Sequence, residues 1–162
     1  MNLFSGVASE AFSGGELPSV VHGLLRQAAA AGPAERGALL WTAQAIAPQA
    51  LALYVALAKH HAQRREFELA ERAALRGAHE AACAAGLDER GRPLGAGAAP
   101  DFGVDGPARF WLFMQKALAF IALRAGDLDA AHDRLELIET LAPQARLGDE
   151  VIAALLRAAP DD

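Results

Sequence analysis

KALAFIALRAGDLDAAHDRLELIETLAP, residues 116–143, is the stretch whose reading decides the fold. Leu128, Ala131, Leu135 and Ile138 recur at three- and four-residue steps, which places them on one face of a helix. Leu118 and Ala119 lie on a second apolar run before it, and Gly126 separates the two. A glycine there supplies an unrestrained turn. Asp127 or a neighbour can cap the following helix, and Pro143 ends it. Small residues such as Ala119 and Ala131 let two helices approach closely, while the larger residues one turn away fill the gap to the next pair. The segment therefore predicts two helices joined by a tight turn.

Working outward, Pro107 can open the first of these helices, which runs to about Ala125. Upstream, DERGRPLGAGAAPDFGVDG follows Leu87; it holds five Gly and two Pro and has no apolar period. Residues 87–106 thus read as a long loop, the kind of segment that is often functional. Before it, one helix spans about Glu66 to Ala85 and stops at Gly86. Another runs from about Gln49 to Gln63, with Leu51, Tyr54, Val55, Leu57 and Ala58 as its apolar set. Pro33 suits the first turn of a helix ending near Ile46. Ser19 can cap a helix to about Ala30, with Val20, Val21, Leu24 and Leu25 as its stripe. A last helix covers about Gly148 to Leu156. Short links favour antiparallel neighbours, and no span alternates as a strand would. The expected fold is all-α, a row of antiparallel helical hairpins. Residues 1–18 form an N-terminal extension with a short helical turn around Val7–Phe12, 19–158 one helical domain, and 159–162 a tail.

Composition agrees. Hydrophobic residues make up 53% of the 162 residues, and they lean on Ala and Leu, which lose little side-chain entropy in a helix. The net charge of −5 and the dilution of Lys59, Arg64, Arg65, Arg72 and Arg76 by Glu66, Glu68 and Glu71 leave no cationic footprint for nucleic acid. Cys83 is the sole cysteine, which suits a reducing compartment. Neither a signal-peptide pattern nor an uninterrupted apolar span is present, so a cytoplasmic chain with no membrane segment is expected.

The helices share a register. Around Ala131, Gly126 lies five residues before and Leu135, Ile138 and Pro143 follow at plus four, seven and twelve. Around Ala70 the same offsets give Arg65, Ala74, Gly77 and Ala82, with Tyr54, Leu57 and Ala58 on the preceding helix. In these residues the chain resembles the tetratricopeptide repeat (TPR) family, best over 116–143 and less closely over 53–82. Arg65 stands where a Gly is usual, and Ala70 and Ala131 are 61 residues apart where the family's spacing is 34. The resemblance implies a right-handed stack of hairpins with a C-terminal capping helix, binding a partner protein along a concave face lined by the first helix of each hairpin. A narrower resemblance, in MNLFSGVA, LYVALAKHH and RFWLFMQKALAFIALRAGD, is to small repeat proteins encoded beside bacterial nitrogen-fixation genes. It implies an accessory role in nitrogenase assembly or protection.

The first helices contribute Tyr54, Lys59, Arg109, Phe113 and Lys116 to such a face, and aromatic and Arg side chains are those that most often carry interface energy. Phe110 and Trp111 point about 100° apart on a helix and are not expected to share one core, so Trp111 joins the candidate contact residues. Trp41 reads as core. Adjacent His60 and His61 diverge on a helix and make poor co-ligands, no zinc spacing occurs, and His79 and Cys83 share a face without further ligands. No nucleophile–base pair or phosphate loop appears. A non-enzymatic interaction module without cofactor or metal is the leading expectation. The alternatives are a homodimer through an exposed hairpin face, and a helical enzyme or cofactor-binding protein using His79, Cys83 or the 87–106 loop.

Overall fold

The computed structural model describes residues 17–145 and 150–158. The N-terminal extension up to residue 16, with its expected turn at Val7–Phe12, the start of the last helix near Gly148 and the tail 159–162 lie outside the described residues. Within them the chain is all-α. Its helices are α1 (Ser19–Ala30), α2 (Pro33–Ile46), α3 (Leu51–Gln63), α4 (Phe67–Ala85), α5 (Pro107–Ala125), α6 (Leu128–Leu141) and α7 (Glu150–Arg157). Each packs against its neighbour in sequence, and α5 also reaches α3 and α7.

Local chemistry explains the helix ends. Pro33 and Pro107 occupy the first turn of α2 and α5, where a missing N–H costs nothing. The Asp127 carboxylate caps α6 by accepting from the Ala130 N–H at 3.0 Å. Ser19 does not cap α1: Pro18 holds the cap position and accepts the first backbone bonds through its carbonyl. Pro48 and Gln49 form a turn, not the first turn of α3, because Tyr54 Oη donates to the Pro48 carbonyl at 2.6 Å and pins that turn outside the helix.

Three helices end in the same way. The N–H groups of Arg65, Gly86 and Gly126 reach back to the carbonyls of Ala62, Cys83 and Leu123. The next N–H of each, from Glu66, Leu87 and Asp127, reaches those of His61, Ala82 and Ala122. This pairing is a Schellman cap, whose central residue takes a left-handed backbone. Gly86 and Gly126 do so at no cost, with φ of 67° and 87°, but Arg65 also adopts φ 62°. An L side chain there is strained by about 1–2 kcal/mol.

The core is organised around α4 and α5. α4 turns a face of small residues inward (Ala70, Ala73, Ala74, Gly77, Ala78, Ala81), all buried. A Cβ on Gly77 would lie 2.7 Å from the Tyr54 Cβ and 2.9 Å from the Met114 Sδ, so α3, α4 and α5 meet at a separation only glycine permits. The bulk missing from α4 comes from α5, where residues 110–119 are all buried. Phe110 and Trp111 are therefore both interior, contrary to expectation. α5 is enclosed by α3, α4, α6, α7 and the preceding loop, so residues 100° apart still face protein. Val20, by contrast, is 54% exposed and drops out of the expected α1 stripe.

Gly77→Ala should lower stability by about 1–3 kcal/mol through overpacking, whereas Gly23→Ala, with nothing within 4 Å of the new Cβ, should raise it by about 0.5–1 kcal/mol; denaturant melts of both variants check the contrast. Arg65→Gly should relieve the left-handed strain. The Arg65 guanidinium lies 5.8 Å from the Phe67 ring centre, and losing that contact offsets part of the relief. The expected net gain is about 0.5–1 kcal/mol, read as a higher denaturation midpoint at unchanged slope.

Candidate binding groove and the buried histidine cluster

α4 and α6 both lie against α5, and among the described residues they do not pack against each other. The space between them is a groove of about 1170 Å³. Its floor is α5, through Trp111 and Gln115, four residues apart on one face. One wall is α4, through Leu75, Ala78, His79, Ala82 and Cys83. The other is α6, through Ala130, Asp133, Arg134, Leu137 and Thr140. These spacings are those of single helix faces. The groove is larger than a drug-sized ligand site, which runs to roughly 1,000 Å³, and it stands open, with Leu75 44% and Leu94 70% exposed.

The segment after α4 closes one end of it. Residues 86–94 are not an irregular loop but a small hairpin, with Leu94 N–H bonded to the Gly86 carbonyl and Asp88 N–H to that of Arg92. Asp88 holds it from within: its carboxylate accepts from the Arg90 and Arg92 N–H groups and from Arg92 Nε at 2.8 to 2.9 Å. Those backbone bonds, and then the Arg92 side chain, hold the Asp88 carboxyl below the usual range. Gly91, at φ 75°, lies against the Trp111 ring, and a Cβ there would come within 2.7 Å of it. Phe102 packs on the same indole, with ring centres 6.2 Å apart.

At the floor, the Arg134 guanidinium donates to Oε1 of the buried Gln115. Burial lowers the Arg134 pKa from its ordinary value, and the Glu71 and Asp133 carboxylates oppose that. The side chain stays charged, as arginine does throughout the accessible range.

Of the six residues singled out in the sequence, only Trp111 lines this groove. Tyr54, Trp111, Phe113 and Lys116 are buried, so they present interior surface. Tyr54 borders a separate hollow of about 400 Å³ and accepts from Gln44 while tying down the α2–α3 turn. Phe113 sits in the core, with the Lys116 ammonium 5.5 Å from its ring centre. Arg109 holds the loop, donating to the Phe102 carbonyl at 3.1 Å and lying 3.7 Å from Asp105. Lys59 is half-buried on α3. The large groove is thus bounded by α4 and α6, the second helices of the expected hairpins. Sequence reasoning missed Leu75, Leu94, Asp133, Arg134 and Glu136. The one available signal was that Leu75 and Leu94 are apolar where no apolar stripe needs them.

The second cluster lies between α2 and α3. His60 and His61 do not diverge: their rings meet edge to face with centres 4.9 Å apart. The Trp41 indole N–H donates to His61 Nε2 at 3.0 Å, so that nitrogen is an acceptor and the proton sits on Nδ1. Nδ1 in turn donates to Glu66 Oε2 at 2.6 Å, and Arg64 Nε donates to Glu66 Oε1 at 2.8 Å. Trp41 is accordingly half-buried and hydrogen-bonded, not plain core, with the Arg76 guanidinium 5.7 Å over its ring. His60, His61 and Glu66 could offer ligand atoms within 4.8 Å of one another. A cation bound through His61 Nε2 would have to displace the Trp41 indole N–H, because that contact uses the nitrogen's lone pair. The cluster acts as a relay that fixes α2 and the α3–α4 turn to one another. His79 and Cys83 sit on the exposed face of α4, with Nε2 and Sγ 3.7 Å apart and no third ligand in reach among the described residues.

The relay is pH-sensitive in a definite direction. Burial, and then the neighbouring His61, Arg64 and Arg36, hold His60 below the ordinary imidazole range, with Glu66 opposing. The unfolded chain takes up that proton near pH 6.5 and the folded one does not, so stability falls as pH drops below about 6.5. Glu66 is held below the carboxylate range by the His61 hydrogen bond and then by Arg64; its contribution is present above about pH 4.3 and is lost as pH falls through its folded pKa. Denaturant melts between pH 7 and 5 should show a decline in stability. His60→Gln should make that decline shallower by up to about 1.4 kcal/mol per pH unit.

No helix among the described residues is long and apolar enough to cross a membrane. Comparison of the chain with protein-family models, with curated proteins and with solved structures gave no match in any of the three.

Proposed function

We propose that this chain is a non-enzymatic, cytoplasmic interaction module of TPR-like build, and that it holds a segment of another protein in the α4–α5–α6 groove. In this reading α3 with α4 and α5 with α6 are antiparallel hairpins of a right-handed stack, and α7 caps it. The turn geometry supports the pairing: Arg65 and Gly126, 61 residues apart in the chain, sit in equivalent Schellman caps, and Ala70 and Ala131, five residues on in each case, are both fully buried. On the narrower resemblance, the partner belongs to nitrogenase assembly or protection.

The single observation that carries the binding role is the open groove itself. Its walls leave Leu75 and Leu94 in solvent beside Leu137, while its floor and closed end are fixed by buried contacts to Trp111 and Gln115. Exposed apolar side chains gathered in a concave, preformed site mark a binding surface. The polar side chains in the groove include Arg134, already bonded to Gln115, surface carboxylates, and the exposed His79 and Cys83, whose Nε2 and Sγ lie 3.7 Å apart.

Affinity capture of the tagged chain from its native cells should recover one polypeptide in stoichiometric amount. Leu75→Asp combined with Leu94→Asp should reduce its recovery about tenfold or more, a loss of about 1.4 kcal/mol, while leaving the melting temperature within a few degrees because both side chains are exposed. Recovery of the chain alone at native expression in every growth condition would reject the proposal.

A further inference from the structure

The charges around the groove specify what fits it. Four carboxylates line it, from Asp88, Glu89, Asp133 and Glu136, against two guanidiniums, from Arg90 and Arg134. Asp88 is committed to the hairpin and to Arg92. Arg134 lies at the floor, engaged with Gln115 and partly balanced by Glu71 and Asp133. Glu89, Asp133 and Glu136 are exposed along the rim with one exposed guanidinium, Arg90, so an entering segment meets an edge of net negative charge beside the apolar Leu75, Leu94 and Leu137.

The walls also limit the backbone conformation of the occupant. The two long walls are helices, whose backbone N–H and C=O groups are paired internally, so along them the groove offers no open edge to which an extended strand could bond. A helix satisfies its own backbone and needs only side-chain contacts. From Ala130 to Thr140 the α6 wall spans ten residue steps, roughly 15 Å at 1.5 Å per step, enough for two to three turns of a docked helix. A second copy of this chain meeting groove to groove would set like carboxylates against one another, which opposes association.

Resting on the groove-binding reading above, we infer that the occupant is a short amphipathic helix of a partner protein that carries Lys or Arg beside its apolar stripe. Its apolar residues lie on Leu75, Leu94 and Leu137, and its cations lie toward Asp133, Glu136 and Glu89. Salt weakens the pairing, because the rim is solvent-exposed and screened within about 8–10 Å at physiological ionic strength.

The test is selection of a random-peptide phage library on the full chain, followed by titration of one selected peptide, labelled with fluorescein. Enriched sequences should combine Lys or Arg with Leu, Ile or Phe at three- and four-residue spacing. The selected peptide should lose about tenfold in affinity on Asp133→Lys with Glu136→Lys, and lose it again when salt is raised from roughly 0.05 to roughly 0.5 M. Leu75→Asp should abolish its binding. Enriched acidic or uncharged sequences that still depend on Leu75 would overturn the inference and leave the groove reading standing. A selection that enriches nothing, or peptides indifferent to Leu75→Asp, would remove both.

Discussion

The contact of Gly77 with Tyr54 and Met114 is the constraint from which the remaining packing follows. Once α4 is brought to within a hydrogen atom's width of α3 and α5, its inner face can carry only methyl groups, and alanines line it from Ala70 to Ala81. Methyls bury little apolar surface each, so the large side chains have to come from elsewhere. They come from α5, whose residues 110–119 are enclosed without interruption by helices on several sides. The core is thus asymmetric, with small residues on one helix matched to Phe110, Trp111, Phe113 and Met114 on the next.

The groove is a consequence of the same arrangement. A helix at the centre of several neighbours holds each of them at its own face, and two neighbours on different faces are kept apart. α4 and α6 stand in that relation across α5. A longer side chain at Ala78 or Ala82 would fill part of the gap from one wall; the small residues that serve close packing toward α3 and α5 also leave room on the α4 face that looks at α6. Close packing and an open cleft therefore have one origin in the alanine-rich composition of α4.

Apart from the cap expected at Ser19, features that depend on a few consecutive residues were legible in the sequence, and features that depend on which helices meet were not. Pro33, Gly86, Pro107 and Gly126 mark helix ends by local stereochemistry, and the structure puts the ends there. Arg65 was visible as an exception in a register that favours glycine, and its positive φ shows the backbone keeping the turn despite the residue. The surroundings of α5 were not visible. Reading Phe110 and Trp111 as facing different environments assumed a helix with a wet side, and nothing in the order of residues reveals that the loop and four helices surround it. The same limit hid the meeting of His60 with His61 and the bond from Arg134 to Gln115, nineteen residues away. The groove residues were missed because Asp133 and Glu136 look in sequence like any solvated helix surface.

The loop between α4 and α5 shows how a segment poor in apolar residues can still matter to the site. Its hairpin carries almost no core of its own, and Asp88 supplies the order by gathering two backbone N–H groups and a guanidinium. What attaches it to the fold is Leu87, buried in the core, and the Gly91 backbone against Trp111 and Leu141, an approach possible only because Gly91 has no side chain and tolerates a positive φ. Trp111 is at once a core residue, the seat of that hairpin and part of the groove floor. The end wall of the groove is consequently positioned by the same side chain that fills the interior, so the shape of the groove is set by core packing and not by a free-standing loop.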